Sequence, residues 1–459
     1  MGIMRAFTTF LVEESTEDKL KHLEHPEDHI IKSGEPGFHH AFNTLKTTAE
    51  HLQGHDSGTN IMTKYDGAPS VVFGHDPSTG KFFVASKSAF NKNPKINYTD
   101  KDIEANHGHA PGLVSKLKAA LKHLPKVAPK VGVFQGDFMY NKADGDVQED
   151  EKNFHFKPQL IGYTAKKSSE QGQKIARAKM GFYVHTAYKG TDLANMKADY
   201  TPDIRGFKDH PDVHMHYWNQ GFDAKKAKYT PEEHAKFKSE MNAAGEVFKN
   251  GDRGSMFKLP VAEDHVTTYI NKMVVHGDKP SVKGLEQHVA SRWDKEIDKV
   301  KTDKSKQAKA QAKQADLAAI HAHRKPLEAL LQIHGHLAAA KNALLPALER
   351  GDKTGYSYDI HGQPTSAEGT VVVTKENRPT KLVNRGAGGF AQMNLSKGGF
   401  GTVKESLYIE EELTPVQKAE QAIQAGDHKT ALEHLRQHIP GASRKTDAYV
   451  ANLIYKLRK

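Results

Sequence analysis

The sequence predicts an α+β protein whose antiparallel β core, built of two sheets, is interrupted by a long helical segment. Three observations predict it. Short β-branched or aromatic runs, parted by Asp-Gly and Pro-containing turns, recur between Asn60 and Tyr188. From about Asp223 to Arg350 they vanish, and Ala, Lys, Gln and Glu dominate, with apolar residues at helical spacing. At Gly369 the β-branched runs return.

Taken in order, residues 1–58 read as helical, with stretches over Thr16–Leu23 and Gly37–Leu52. The second follows the breaker Gly34-Glu35-Pro36-Gly37. Asn60–Lys64, Ser70–Gly74 and Lys81–Lys87 then read as antiparallel strands, as do Val131–Tyr140 and Gly181–Tyr188, with a helix over Gly112–Leu124 between. In the long helical stretch Leu327, Leu330 and Leu331 mark an apolar face. Lys306, Lys309 and Lys313 line a basic one, read as a solvated face in preference to a nucleic-acid contact. Strands resume at Gly369–Thr374 and Lys381–Arg385, before a glycine-rich loop, Gly386–Gly401. From Thr414-Pro415 onward helices are expected, with Leu432, Leu435 and Ile439 on one face. The expected domains are therefore residues 1–222 and 351–410 as two parts of one core, 223–350 as a helical insertion, and 411–459 as a C-terminal helical domain.

The chain has 459 residues, enough to bury a full enzyme core. No run of about 18 apolar residues exists, so no membrane span is expected. No secretory apolar region follows the N-terminus, and Ala6 breaks the myristoylation pattern. With no cysteine, disulfides, thiol nucleophiles and cysteine-ligated zinc are excluded. These features predict a cytosolic monomer. Lys and Arg number 66 against 56 Asp and Glu, a net charge of +10, which suits a polyanionic partner through counterion release.

The chemistry begins at Thr63-Lys64-Tyr65-Asp66-Gly67. A lysine at a strand end before a tight Asp-Gly turn puts an amine at the mouth of a sheet. Such an amine attacks phosphorus only when deprotonated, and burial or nearby cations can lower its pKa from about 10.4. Alone, the pattern fits a surface hairpin equally well. Later segments add groups suited to the same chemistry, namely Ser86-Lys87, Gln135-Gly136-Asp137, the aromatic strand Phe182-Tyr183-Val184, Glu368-Gly369-Thr370 and Lys381-Leu382-Val383. The 28 histidines, including those at 107, 109 and 210–216, read as scattered surface groups rather than a metal site. Trp218 and Trp293 read as packing anchors.

In this order the segments resemble the motifs of the covalent nucleotidyltransferase superfamily, which holds ATP-dependent DNA ligases, RNA ligases and capping enzymes. The run Lys-Tyr-Asp-Gly-Ala-Pro-Ser-Val-Val-Phe-Gly is similar to ligase-type proteins of large tailed phages. The resemblance implies a two-sheet nucleotidyltransferase (ATP-grasp-like ligase) core. It also implies roles: Lys64 takes AMP as a phosphoramidate, and Asp66 and Gly67 shape its turn. Lys87 faces the ribose or the incoming 5′-phosphate, and Asp137 contacts ribose or metal. Phe182 stacks on adenine, Glu368 helps hold the metal, and Lys381 grips the α-phosphate. The implied cofactors are ATP and Mg²⁺ or Mn²⁺, and the implied partner is nucleic acid, RNA or DNA, with 5′-phosphate and 3′-hydroxyl ends.

The chain departs from the family in several places. Asp137 stands where Glu is usual, and a second lysine is missing beside Lys381, with Arg385 the substitute if the strand continues. The interval from Phe182 to Glu368 is long, and no OB domain or Arg-x-Asp-Lys motif is found, which favours an RNA-ligase-like architecture. Three alternatives stay open: a GTP-using capping-type guanylyltransferase, a nucleic-acid-binding module without catalysis, and a phage structural protein.

Overall fold

A computed structural model describes residues 23–386, apart from 92, 354–355, 359–363 and 366–367; of 356–358 and 364–365 it describes the backbone. The expected helix at 16–23 (its last residue apart), the glycine-rich loop beyond 386 and the C-terminal helices lie outside these residues. Contacts gather residues 23–106 and 115–386 into one compact unit.

The architecture is α+β. Strands β1 (Asn60–Lys64), β2 (Ser70–His75) and β3 (Phe82–Ala85) follow helix α1 (His29–Leu52), which is kinked at Gly34, where φ is +60°. Helices α2 (Asp100–His107) and α3 (Pro111–His123) precede β4 (Val133–Asn141). Strands β5 (Val147–Glu149), β6 (Asn153–Phe156) and β7 (Gly162–Lys166), helix α4 (Glu170–Arg177), and strands β8 (Met180–Lys189), β9 (Lys197–Asp199) and β10 (Val213–Tyr217) come next. Six helices then run without a strand: α5 (Pro231–Asn250), α6 (Arg253–Met256), α7 (Glu263–His276), α8 (Val282–Asp298), α9 (Asp303–Ala322) and α10 (Arg324–Gly351). Strands β11 (Tyr356–Tyr358), β12 (Pro364–Thr365), β13 (Gly369–Val373) and β14 (Pro379–Leu382) close the described chain.

The strands form three sheets where the sequence predicts two. One is β1-β13-β14, and another is β10-β8-β4-β2-β3 with β9 beside β8. The third is β12-β11-β7-β6-β5. This third sheet draws on Val147–Lys166, where Phe154 and Phe156, then Tyr163 and Ala165, alternate with polar residues over runs of only four and five residues, too short to stand out. Nor is the second sheet wholly antiparallel, because β10 runs parallel to β8.

Apolar periodicity explains the helical half. Helix α5 opens with a capping box between Thr230 and Glu233 and a proline at its first turn. Leu327, Leu330, Ile333, Leu337 and Leu344 of α10 are buried with Phe38, Leu45, Met241, Ile270 and Leu285 in one core. Ile61, Val372 and Leu382 join it, so the β1-β13-β14 sheet lays one face on the helices. The other face carries Met62, Val371 and Val373, packed with Trp218. Trp218 donates to the Pro202 carbonyl, and Trp293, packed on the helical core, donates to Asp316. On α9, Lys309 and Lys313 are half-buried and pair with Glu296 and Asp294 of α8. Among the described residues, no helix is long and apolar enough to cross a membrane.

Candidate active site

Strand register assembles the site. Lys64 lies opposite Gly369 at the end of the β1-β13 ladder, so Glu368, one residue before, reaches its ammonium and forms an ion pair. Farther along, Met62 faces Val371, which faces Lys381 of β14. Paired residues share a face, and side chains two apart along a strand share one too. Lys64 and Lys381 therefore stand on one side of the sheet, opposite the helical core.

The Asp66-Gly67 turn carries the chain from β1 into the large sheet. The Asp66 carboxylate accepts hydrogen bonds from the backbone N–H groups of Leu160 (2.5 Å) and Ile161 (2.8 Å). Its own N–H donates to the Tyr163 hydroxyl at 2.8 Å. Asp66 is thus a buried pin between the Lys64 strand and the segment entering β7. Burial, and then the charge of Glu368, push its carboxyl up to about 6 against the pull of those hydrogen bonds. A Cβ on Gly67 would lie 2.6 Å from the Asp137 Cβ and 3.0 Å from the Phe138 oxygen, so only glycine lets the turn approach β4 this closely.

Asp137 sits on β4 between Ser70 of β2 and Tyr183 of β8. Burial pushes its carboxyl up, but His185, Ser70 and Lys64 together outweigh this and hold it below the usual range. Nε2 of His185 is 3.5 Å from Asp137 Oδ2. A register shift puts Gln135 opposite Thr186 but Gly136 opposite Val184, leaving His185 as the extra residue of a bulge.

Lys87 opens the short 3-10 turn after β3, which Ser86 caps by accepting from the Ser88 N–H. Burial lowers its ammonium pKa, Asp137 counteracts this, and the charge of Lys64 adds to the lowering. Lys381 is pushed down to about 8 by burial and then by Lys64. Neither Lys87 nor Lys381 has a side-chain ion-pair partner among the described residues. Burial alone would lower Lys64 as well, but Glu368, with Asp66 and Asp137 behind it, raises it above its usual value. The sequence led us to expect cations to free this amine; instead its carboxylate partner keeps it charged.

The structure thus brings Lys64, Asp66, Gly67, Lys87, Asp137, Glu368 and Lys381 together. Phe182 is not among them. It lies opposite Phe138, on the face of the sheet away from Asp137, fully buried and edge-on to Phe73 and Phe138 at 5.4 and 5.3 Å. Its neighbour Tyr183 shares the face of Asp137, and its hydroxyl donates to the Thr63 carbonyl. Arg385 does not stand in for a second lysine either. β14 ends at Leu382, and the Arg385 guanidinium binds Asp28 (2.8 Å) and Asn271 (2.7 Å). Sequence reasoning missed His185 and Tyr163. Parity along β8 relative to Asp137 would have separated Tyr183 from Phe182, whereas the bulge that turns His185 inward leaves no sequence signal.

Among the described residues, no group of three or more His, Asp or Glu is placed to hold a metal ion. The chain belongs to a family of unknown function, DUF6267, which it matches over residues 19–398. Among curated proteins and among solved structures, nothing matches it.

Proposed function

We propose, on the geometry rather than on family membership, that the chain is an ATP-dependent polynucleotide ligase working through a lysyl-AMP intermediate at Lys64. The observation that carries this reading is the convergence of three lysines, two on the β1-β13-β14 sheet and one from the turn after β3, beside Glu368 and Asp137, two of them unpaired among the described residues. Cations that are partly buried and lack partners favour a polyanion, and a triphosphate supplies one.

In the first step the Lys64 Nζ lone pair attacks the α-phosphorus of ATP. A nitrogen–phosphorus bond forms, the bridging phosphorus–oxygen bond breaks and pyrophosphate leaves. The proton leaving Nζ has an acceptor already in contact, the Glu368 carboxylate. An oxygen of a nucleic-acid 5′-phosphate then attacks the same phosphorus and Lys64 departs. Last, a 3′-hydroxyl oxygen attacks the activated 5′-phosphorus, losing its proton as AMP leaves with the bonding electrons. Lys381 and Lys87 hold the phosphates while charge develops on them. Glu368 and Asp137 offer the hard oxygen donors that Mg²⁺ or Mn²⁺ takes, one or two carboxylates completed by substrate phosphates. Such an ion would neutralise charge on the phosphate oxygens. The net charge of +10 suits a nucleic-acid partner.

Incubation of the full chain with α-labelled ATP and Mg²⁺ tests the reading. Wild type should retain label through denaturation, and Lys64→Ala should retain none. Label taken from GTP but not ATP would make the chain a guanylyltransferase; equal labelling of the Lys64→Ala variant would remove Lys64 from the chemistry.

A further inference from the structure

Away from the Lys64 sheet, the helical half holds a cavity of about 800 Å³ between α7, the start of α8 and α10. Its width has a sequence cause. Gly335 lines it from α10, and a Cβ built there would meet nothing within 4 Å. Ile270, Met273 and Leu331 give it an apolar wall.

The inner end is polar and incompletely satisfied. Glu27, Asn342 and Arg385 line the cavity, and each carries a buried side-chain atom without a hydrogen-bond partner among the described residues: Oε2, Oδ1 and Nε. The side chains of Glu27 and Arg385 are 0% and 9% exposed. Their other atoms are engaged. Lys341 donates to Glu27 Oε1 at 2.5 Å, and the two Nη atoms of Arg385 donate to Asp28 and Asn271. Buried polar groups are nearly always paired, so three orphans around one cavity are informative. Two accept and one donates.

At the rim, Lys279 and Lys283 flank Ser281, which caps the N-terminus of the 17-residue helix α8. Asp278 is their acidic neighbour, while Arg324 and His336 are already bonded to Glu328 and Glu240. Two lysines beside the positive end of a helix suit a phosphate.

We propose that this cavity is a nucleotide-binding site. A nucleobase lies on the Ile270-Met273-Leu331 wall with its donor and acceptor edge toward Glu27, Asn342 and Arg385. Its phosphate rests at Lys279, Lys283 and the start of α8. A flat heterocycle with donors and acceptors along one edge meets both demands of the inner end, and the volume admits a ligand of this size. Nothing in this site depends on chemistry at Lys64. The ligand is either a free mononucleotide or the terminal nucleotide of a strand.

Calorimetric titration of the full chain tests it, with AMP, GMP, CMP, UMP, ribose 5-phosphate and a 5′-phosphorylated oligonucleotide as probes. At least one nucleotide should bind, and ribose 5-phosphate at least about tenfold more weakly. Loss of an oligonucleotide site in Gly335→Trp identifies a strand end as the ligand; loss of a mononucleotide site alone identifies the free form. Gly335→Trp fills the open space and should abolish binding at this site, seen as one nucleotide fewer per chain in the titration, while leaving labelling by ATP at Lys64 unchanged. Asn342→Leu, which removes one orphan acceptor at the opposite end, should weaken it at least about tenfold and stands in if Gly335→Trp fails to fold. Because the proposed Lys64 site would also take nucleotide, the number of sites decides: a nucleotide stoichiometry that neither substitution lowers, or ribose 5-phosphate binding here as tightly as the nucleotides, overturns the proposal.

Discussion

Lys64 and Lys381 share one sheet face yet differ in character at the residue scale: Glu368 holds Lys64 charged, whereas Lys381 is pushed down to about 8. In the proposed adenylation their titrations oppose each other. Lys64 must lose its proton, and its pKa is raised, so below that value each pH unit increases the reactive fraction about tenfold. Lys381 must keep its proton to hold phosphate, and its pKa is lowered, so its contribution falls once pH passes about 8. The second-order rate of lysyl-AMP formation should therefore climb to about pH 8 and level off above it. In Lys381→Arg the rate is lower but continues to climb through about pH 8. A wild-type profile without a break near this pH would contradict the assignment of Lys381. Much of this site was legible in the sequence, because the Lys64 turn and the lysine and glutamate of the late strands are local patterns. The protonation state of Lys64 was not, because Glu368 lies 304 residues away in sequence and reaches it through register alone. Phe182 was misplaced for a simple reason: adjacent strand residues face opposite sides, and the segment alone does not say which side holds Asp137.

Among elements, the turn between β1 and β2 packs directly against β4 beside Asp137. Gly67→Ala would drive a Cβ to 2.6 Å from that of Asp137 and 3.0 Å from a β4 carbonyl. Both obstacles belong to a central strand that cannot yield cheaply, so the substitution should destabilise the fold by about 1–3 kcal/mol and weaken ATP labelling. Urea denaturation measures the first and the labelling assay the second; a variant matching wild type in both would mean that the turn does not pack as described. Strand positions in β1, β2, β4, β8 and β13 could be read within a residue or two, since β-branched and aromatic runs with turn residues at their ends speak for themselves. The third sheet could not. Its strands β5, β6 and β7 are only three to five residues long, so the alternation of Phe154, Phe156, Tyr163 and Ala165 with polar neighbours is too brief to stand out among the charged residues around it. The parallel partnership of β10 with β8 was hidden for another reason, since pairing is a tertiary property that no local pattern encodes.

On the scale of the whole molecule, a buried charge cluster joins three distant stretches of chain. Lys341 of α10 pairs with Glu27 at 2.5 Å, both side chains fully buried, and Asp28 binds His334 and Arg385. Burial lowers the pKa of Lys341, and Glu27 opposes that. Removing one member leaves a buried charge unpaired. Lys341→Met should lower stability by about 3–5 kcal/mol, while pairing it with Glu27→Gln should recover part of the loss. A thermal or urea melt decides this, and a Lys341→Met variant as stable as wild type would mean the cluster does not hold the helical half to the β14 end. The α+β class and the strand-free helical stretch were visible in composition and period, whereas this cluster was not, because isolated charged residues in a sequence carry no mark of burial. Above all, Lys64 is proposed to be a covalent nucleotide carrier. Tandem mass spectrometry of the protein after incubation with ATP and Mg²⁺ tests that role most directly. It should find AMP on the peptide containing Lys64, bonded to that side chain. No adduct, or AMP on a different lysine, would contradict it.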